Sequence, residues 1–168
     1  EDLLLLARLD SQPDLDLRRV DVAEIAVNAT SDAQVAYPAY DWGVDLPEEH
    51  VFARANAHRL HQVLANLLAN AGKHTPPGTV VTTAVRAHGP AVIITVTDNG
   101  PGIPPEVQAT VFERFVRADV ARTRSGPSKD STGLGLAIVA AVMEAHGGWA
   151  AVHSHPGGTV FTLGLPRA

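Results

Sequence analysis

The sequence predicts an ordered α/β domain, and three observations carry that prediction. From Ala57 to His74, apolar residues recur at Leu60, Val63, Leu64, Leu67, Leu68 and Ala71, spacings of three and four that make one continuous helical stripe. Two β-branched runs follow, Thr79 to Val85 and Ala91 to Thr97, separated by a short Gly-Pro turn region as in an antiparallel pair. Leu134 to Ala145 is apolar nearly all round, which predicts a buried helix ended by Gly147 and Gly148. Two closing strands are expected after it, Ala150 to Ser154 and Thr159 to Leu165.

The remaining elements fall in order around these. Residues 1 to 9, EDLLLLARL, read as the tail of a helix cut off at its start, because so dense an apolar cluster needs a partner that this chain is not expected to supply. Pro13 and the acidic stretch around it read as a linker. Val20 to Ala36 reads as a first amphipathic helix on Val22, Ile25, Ala26 and Ala29, followed by extended stretches at Tyr40 to Val44 and Val51 to Arg54. Pro76, Pro77 and Gly78 stop the central helix and turn the chain. After the strand pair come a Gly- and Pro-rich loop, a short segment at Val111 to Arg117, and a polar glycine-containing stretch to Thr132.

Composition limits the functions open to this pattern. A chain of 168 residues can bury one good core and is too short for two full domains. A formal net charge of −5 argues against a dedicated nucleic-acid surface. With no cysteine there is neither a disulfide framework nor a thiolate metal site, which fits a reducing compartment. The run Leu3 to Leu6 is far too short to span a bilayer, and no signal-peptide pattern opens the sequence, so the segment is expected to be soluble.

Four places carry residue types with chemical use. On the polar side of the central helix, Asn66, Asn70 and Lys73 are spaced four and then three apart and so stack along one face. An amide oxygen is a neutral ligand for Mg²⁺, and a lysine supplies a point charge to a phosphate; alone, the same trio also fits a solvated helix face. DNGPGIP, Asp98 to Pro104, follows a strand, and its glycines allow positive φ and close approach of a flat ligand, although DNG is equally a common turn. There Asp98 could accept a hydrogen bond from an exocyclic amine such as that of adenine. TGLGLAIV, Thr132 to Val139, sets Gly133 and Gly135 at the opening of an apolar helix, where free backbone N–H groups suit an anion, or where a plain cap would suffice. It is neither a P-loop nor a GxGxxG fingerprint. GGTVFTLGLP, Gly157 to Pro166, reads as a turn into a last strand, with Thr159 its one candidate.

Taken together and in this order, these segments resemble the boxes of sensor histidine kinases. NLLANAGKHTP is similar to their N box, DNGPGIP to the G1 box, VFERFVRAD to the F box, TGLGLAIV to the G2 box and GGTVFTL to the final glycine box, over roughly residues 18 to 166. The resemblance implies a Bergerat-type two-layer α/β sandwich, a mixed sheet with helices on one face, holding ATP between the central helix and a mobile lid. It implies that Asn70 is the Mg²⁺ ligand, that Asn66 and Lys73 contact the metal-bound phosphates, and that His74 presents an aromatic face to adenine where relatives have Tyr. Asp98 would bind the adenine amine, with Gly100, Gly102 and Ile103 shaping the pocket. Thr132, Gly133, Leu134, Gly135 and Leu136 would line the phosphates, and Thr159 would be a further nucleotide contact. Phe112, Arg114, Phe115 and Arg117 fall at the lid, the phenylalanines as anchors and Arg117 as the γ-phosphate contact, with Ala118 to Thr132 as the lid itself.

Two departures from the pattern bear on detail. Ser131 stands where relatives usually have the first glycine of GxGLGL, and ARANAHRL, Ala53 to Leu60, lacks the acidic residue and proline often found before the central helix, which bears on its capping. None of the eight histidines, at 50, 58, 61, 74, 88, 146, 153 and 155, has the phosphoacceptor context of His, acidic, apolar, Arg. The resemblance therefore implies an acceptor upstream, with residues 1–17 the end of a dimerisation helix and linker and 18–168 the catalytic domain. The implied partners are that acceptor domain and a response regulator, in a cytoplasmic portion of a protein anchored in the membrane by a part outside this chain, itself largely monomeric. Two other functions share the fold: an ATP hydrolase or serine kinase, and a non-enzymatic nucleotide-binding module. The first uses a Glu four residues before the metal-binding Asn, a place taken here by Asn66, which cannot accept a proton. A metalloprotein built on His58, His61, His153 and His155 is the remaining alternative.

Overall fold

Alternation along three strands decides the layering. In β4 (Val80–His88), β5 (Ala91–Asp98) and β7 (Gly158–Pro166) the residues Val81, Thr83, Val85, Val92, Ile94, Val96, Phe161, Leu163 and Leu165 are buried, and the register sets Val96 opposite Phe161, Ile94 opposite Leu163 and Val92 opposite Leu165. A side-chain period of two puts them all on one face of the sheet. The intervening residues Thr95, Thr97 and Thr162 are half-buried or exposed on the other. The structure, a computed structural model, describes residues 2–10, 15–113 and 134–168.

The sheet has five strands. Its order is β2 (Asp41–Asp45), β4, β5, β7 and β6 (Trp149–His155), with β2 parallel to β4 and every other pair antiparallel. A separate two-stranded ribbon pairs β1 (Arg18–Asp21) with β3 (Phe52–Ala55). Helices α2 (Val22–Ala36), α3 (Ala57–His74) and α5 (Gly135–Ala145) cover the apolar face, and α4 (Pro105–Gln108) is a single turn between β5 and α5. The fold is thus the two-layer sandwich with a mixed sheet that the motifs imply.

The central helix spans the predicted residues and buries the predicted stripe, Leu60, Val63, Leu64, Leu67, Leu68 and Ala71. Each leucine so buried contributes roughly 1.5–3 kcal/mol of gross hydrophobic stabilisation. Its start is capped after all: the Asn56 side-chain oxygen accepts from the Arg59 N–H at 3.0 Å, in place of the acidic residue the pattern lacks. The preceding helix begins two residues later than Val20. Asp21 caps it by accepting from the Ala23 N–H at 3.1 Å, and an N-cap with extended backbone ends a strand rather than continuing a helix, so Val20 and Asp21 belong to β1. The leucine cluster of α1 (Asp2–Asp10) also differs from expectation. Leu5, Leu6 and Leu9 are buried and the helix packs on α5, so this chain does supply a partner; Leu3 and Leu4 remain 55% and 65% exposed.

One buried histidine ties two helices together. His146, at the end of α5, donates from Nδ1 to the Val142 carbonyl at 2.7 Å, and its Nε2 accepts the Asn56 N–H at 3.1 Å. Those two bonds fix a neutral ring with its proton on Nδ1. Burial pushes the imidazole below its ordinary value, against the opposing effect of the Val142 carbonyl. The unfolded chain then binds the extra proton first. The stabilisation from His146 is present above the ordinary value of about 6.5 and is lost as pH falls below it. Chemical denaturation at pH 7.5 and 5.5 is expected to show a lower midpoint in acid, and His146→Gln is expected to flatten that dependence. His146→Ala should cost about 1–3 kcal/mol at neutral pH, since it orphans the Asn56 N–H.

Candidate functional site

The polar side of α3 faces the start of α5. Asn66 and Asn70 are half-buried, and Lys73 and His74 are exposed in the last turn. Asn66 donates from Nδ2 to the Gly135 carbonyl at 3.2 Å, which joins the first turn of α5 to the middle of α3. Among the described residues Asn70 makes no side-chain hydrogen bond, so its carbonyl oxygen is uncommitted and can serve a hard cation. Leu134 precedes α5 without supplying a side-chain cap, and a Cβ on Gly135 would meet nothing within 4 Å. The first turn of a helix directs its backbone N–H groups along the axis, an arrangement suited to an anion. Leu136 is half-buried in the same turn.

At the edge of this region three polar residues end three adjacent strands on the core side. Asp98 closes β5, Thr159 lies opposite it on β7, and Ser154 lies opposite Thr159 on β6. All three are buried. The Asp98 Oδ1 accepts the Gly100 N–H at 2.9 Å, and the Thr159 N–H also reaches this carboxylate. Burial pushes the Asp98 carboxyl above its ordinary value, while the Gly100 and Thr159 N–H groups draw it back. Thr159 and Ser154 share a hydroxyl–hydroxyl bond of 2.8 Å, and Ser154 Oγ accepts the Ile103 N–H at 2.7 Å.

These contacts fold the loop after β5 back over the strand ends. Gln108 completes the arrangement by donating to the carbonyls of Ile103 at 3.0 Å and Ser154 at 3.2 Å while accepting the Ser154 N–H. Gly102 holds φ +85°, and a Cβ there would overlap the His155 carbonyl oxygen. Gly100 is required for a different reason: its added Cβ would stand 2.7 Å from the Thr75 methyl. Gly102→Ala is expected to destabilise by roughly 2–4 kcal/mol, from backbone strain and overpacking together, and thermal unfolding would read it directly. Phe112 seats edge-on against Phe161 of β7, with ring centres 6.1 Å apart, so the chain leaving α4 is anchored to the core.

The expected site residues thus divide into three groups. Asn66 and Gly135 are in contact, and Asp98, Gly100, Gly102, Ile103 and Thr159 share one hydrogen-bonded or packed neighbourhood. Asn70, Lys73 and His74 sit on α3, Leu136 on α5, and Leu134 immediately before α5. Arg114, Phe115, Arg117, Ser131, Thr132 and Gly133, with the rest of the stretch expected to form the lid, lie outside the described residues. Among the described residues no group of three or more His, Asp or Glu side chains comes together in a way that could hold a metal ion. His61 instead pairs with Asp32 at 3.1 Å, and His155 Nδ1 accepts the Gly157 N–H at 3.1 Å. The ligand-like residues that sequence reasoning missed are Gln108 and Ser154. Ser154 carried a signal, a hydroxyl at an inward position of an alternating strand.

Comparison with known proteins decides among the families sharing such a layout. Residues 55–168 match the family described as histidine kinase-, DNA gyrase B- and HSP90-like ATPase. The chain belongs to this family. Within it, the chain is similar to sensor histidine kinases. The probable sensor histidine kinase TcrY of Mycobacterium tuberculosis is 54% identical over 166 residues, covering 99% of this chain and 34% of the relative. Sensor histidine kinase TrcS of the same organism is 42% identical over 171 residues, covering 99% of this chain and 33% of that protein. The chain therefore spans about a third of the length of these curated relatives. Among solved structures, the mycobacterial sensor histidine kinase MprB aligns with a TM-score of 0.77 at 31% identity, over 89% of this chain and 98% of that one. Full-length ShkA in complex with AMPPNP aligns with a TM-score of 0.81 at 30% identity, over 99% of this chain and 35% of that one. The domain is thus an ATP-binding catalytic domain of the sensor histidine kinase kind. No helix of its described residues is long and apolar enough to cross a membrane.

Proposed function

We propose that this domain binds ATP with Mg²⁺ and donates the γ-phosphate to a histidine on a separate dimerisation domain, for onward transfer to a response regulator. The reading rests on one juxtaposition: the amide face of α3 is tied through Asn66 to the first turn of α5, with the buried Asp98 at the neighbouring strand end. A triphosphate suits the first two features and an aminopurine the third. The AMPPNP complex of the similar ShkA supports a nucleotide in such a site.

In this reading Asn70 holds the cation, Asn66 and Lys73 contact the phosphates, and the N–H groups from Thr132 to Leu136 receive them. His74 lies against the base and Asp98 accepts from its amine, with Gly100, Gly102, Ile103 and Thr159 shaping the pocket. Bound Mg²⁺ neutralises part of the triphosphate charge. Arg117 is assigned to the transferring phosphoryl group, where guanidinium charge counts most, and Arg114 to the bound nucleotide. In the transfer, an acceptor imidazole nitrogen bonds to the γ-phosphorus, the bond from phosphorus to the β,γ-bridging oxygen breaks, ADP leaves and the imidazole loses its proton. Asn66 cannot act as a general base, which favours an imidazole nucleophile over water.

The division at residue 17 belongs to the same proposal, with α1 the end of a dimerisation helix, and the whole a cytoplasmic part of a membrane-anchored kinase. Labelled ATP tests it. The isolated chain should bind nucleotide, run as a monomer and take up no acid-labile label, whereas an added dimerisation domain from the same protein should become labelled on histidine. Stable label on the isolated chain, or binding without transfer to the supplied acceptor, overturns it; the second outcome would instead favour a non-enzymatic nucleotide-binding module.

A further inference from the structure

One segment lies between the two halves of the site and is held from both sides. Thr75 to Val80 connects the end of α3 to β4. On one flank it meets the start of β2: the Gly78 N–H donates to the Ala39 carbonyl at 2.8 Å and the Asp41 N–H to the Thr79 carbonyl at 3.0 Å. On the other flank it meets the Asp98 turn, where Asn99 Oδ1 accepts the Val80 N–H at 2.9 Å and Gly100 packs so tightly against Thr75 that an added Cβ would stand 2.7 Å from its methyl. The position of this strut therefore fixes how far the phosphate-facing helix stands from the base-facing carboxylate.

Tyr40 clamps that strut. Its hydroxyl lies 2.9 Å from the Gly72 carbonyl and 2.5 Å from the Thr75 carbonyl, so its single proton is shared between two of the acceptors that a helix end leaves unsatisfied. Thr75 closes the same end by donating from Oγ1 to the Ala71 carbonyl at 2.7 Å. The Tyr40 ring is held by Tyr37 and Trp42, with ring centres 6.1 and 5.8 Å away, and Trp42 Nε1 donates to the Tyr37 carbonyl at 2.8 Å. Tyr37 in turn lies against Gly72, where a Cβ would come within 2.7 Å of its ring. Three aromatic residues, two from the turn before β2 and Trp42 from β2 itself, are thus locked onto the last turn of α3, which carries Lys73 and His74.

We infer that Tyr40 is a positioning residue of the base pocket. Its hydroxyl holds the Thr75 carbonyl, the Thr75 methyl abuts Gly100, and the Gly100 N–H orients the Asp98 carboxylate. This rests on the reading of Asp98 as the adenine contact. A tyrosine that only capped α3 would affect stability and all nucleotides alike; a tyrosine that sets the Asp98 turn affects recognition of the base and spares the phosphates.

The test compares Tyr40→Phe, which keeps the ring, with Thr75→Ser, which keeps the Oγ1 bond and removes only the methyl that meets Gly100. Affinities for ATP, GTP and inorganic triphosphate, each with Mg²⁺, are measured on the 168-residue chain alongside thermal unfolding. Both variants are expected to lower the preference for ATP over GTP by about three- to tenfold, the worth of one hydrogen bond, with triphosphate binding unchanged. The double variant should be no worse than the worse single one, because the two act along one path. Equal losses for all three ligands, or a lower melting temperature with the ATP:GTP preference intact, overturn the inference. Asp98→Asn, run in parallel, separates the two levels. If it leaves the preference unchanged, the adenine reading fails and this inference with it; if it removes the preference while both other variants keep it, only the role of Tyr40 fails. Should Tyr40→Phe not fold, Thr75→Ser carries the decision alone.

Discussion

Asn70→Ala is expected to remove most of the magnesium-dependent part of nucleotide affinity while leaving the fold at least as stable as before. The asymmetry follows from where Asn70 stands. It is half-buried on the polar side of α3 and makes no side-chain hydrogen bond among the described residues, so truncating it orphans no partner. Alanine is also the better helix former, by about half a kcal/mol. What is lost is a neutral oxygen ligand, and losing even an outer-shell partner of a metal ligand typically costs about 10- to 100-fold in metal affinity. Titration with a fluorescent ATP analogue, in Mg²⁺ and again in EDTA, gives the ratio that matters. That ratio should fall by about one to two orders of magnitude in the variant, mostly through the Mg²⁺ arm. A ratio unchanged from the parent chain would remove Asn70 from the metal site. Asn66→Ala is a useful contrast, because Asn66 also holds the Gly135 carbonyl and its loss should loosen the start of α5 as well.

Where the sequence was legible, the signal was periodic or punctuated. The α3 stripe needs only its own three-and-four spacing, and Pro76, Pro77 and Gly78 mark where it stops, so its limits agree with the structure residue for residue. The strand pair β4 and β5 is equally local. Long-range polar contacts were not legible, because nothing in a linear pattern pairs Asn56 with His146, ninety residues on, or Gln108 with Ser154, forty-six residues on. The short ribbon strand β1 was absorbed into the helix after it, since four residues give no period to count and the boundary is set by one Asp21 side chain. One signal was present and unread. Asp98, Ser154 and Thr159 are polar at positions whose alternation with Val96, Val152 and Phe161 puts them on the core side, and three inward polar residues meeting at adjacent strand ends mark a site more strongly than the DNG turn does.

Asp98→Asn should separate recognition from stability in opposite directions. The carboxylate is buried, and that burial raises its proton affinity, so the fold bears a cost for keeping it ionised at neutral pH. Asparagine is nearly isosteric and retains an oxygen that can accept the Gly100 N–H, so the turn keeps its bond without the buried charge. The sign with pH follows from the raised folded value: stabilisation linked to holding the proton is fully present below the ordinary carboxylate value and is lost as pH rises through the folded value. Parent and variant should therefore be close in stability in acid and diverge in favour of the variant as pH approaches neutrality, which denaturation curves at pH 4 and 7 can read. Binding should move the other way. An amide rotated to keep its oxygen on Gly100 presents its NH₂ where an adenine amine must donate, setting donor against donor. Losing a charge-assisted bond of about 1.5–3 kcal/mol predicts a fall in ATP affinity of roughly one to two orders of magnitude, with inorganic triphosphate little affected. A variant that binds ATP normally and is less stable at pH 7 would make Asp98 a structural member of the Ser154–Thr159 cluster, and the base would then have to be read elsewhere.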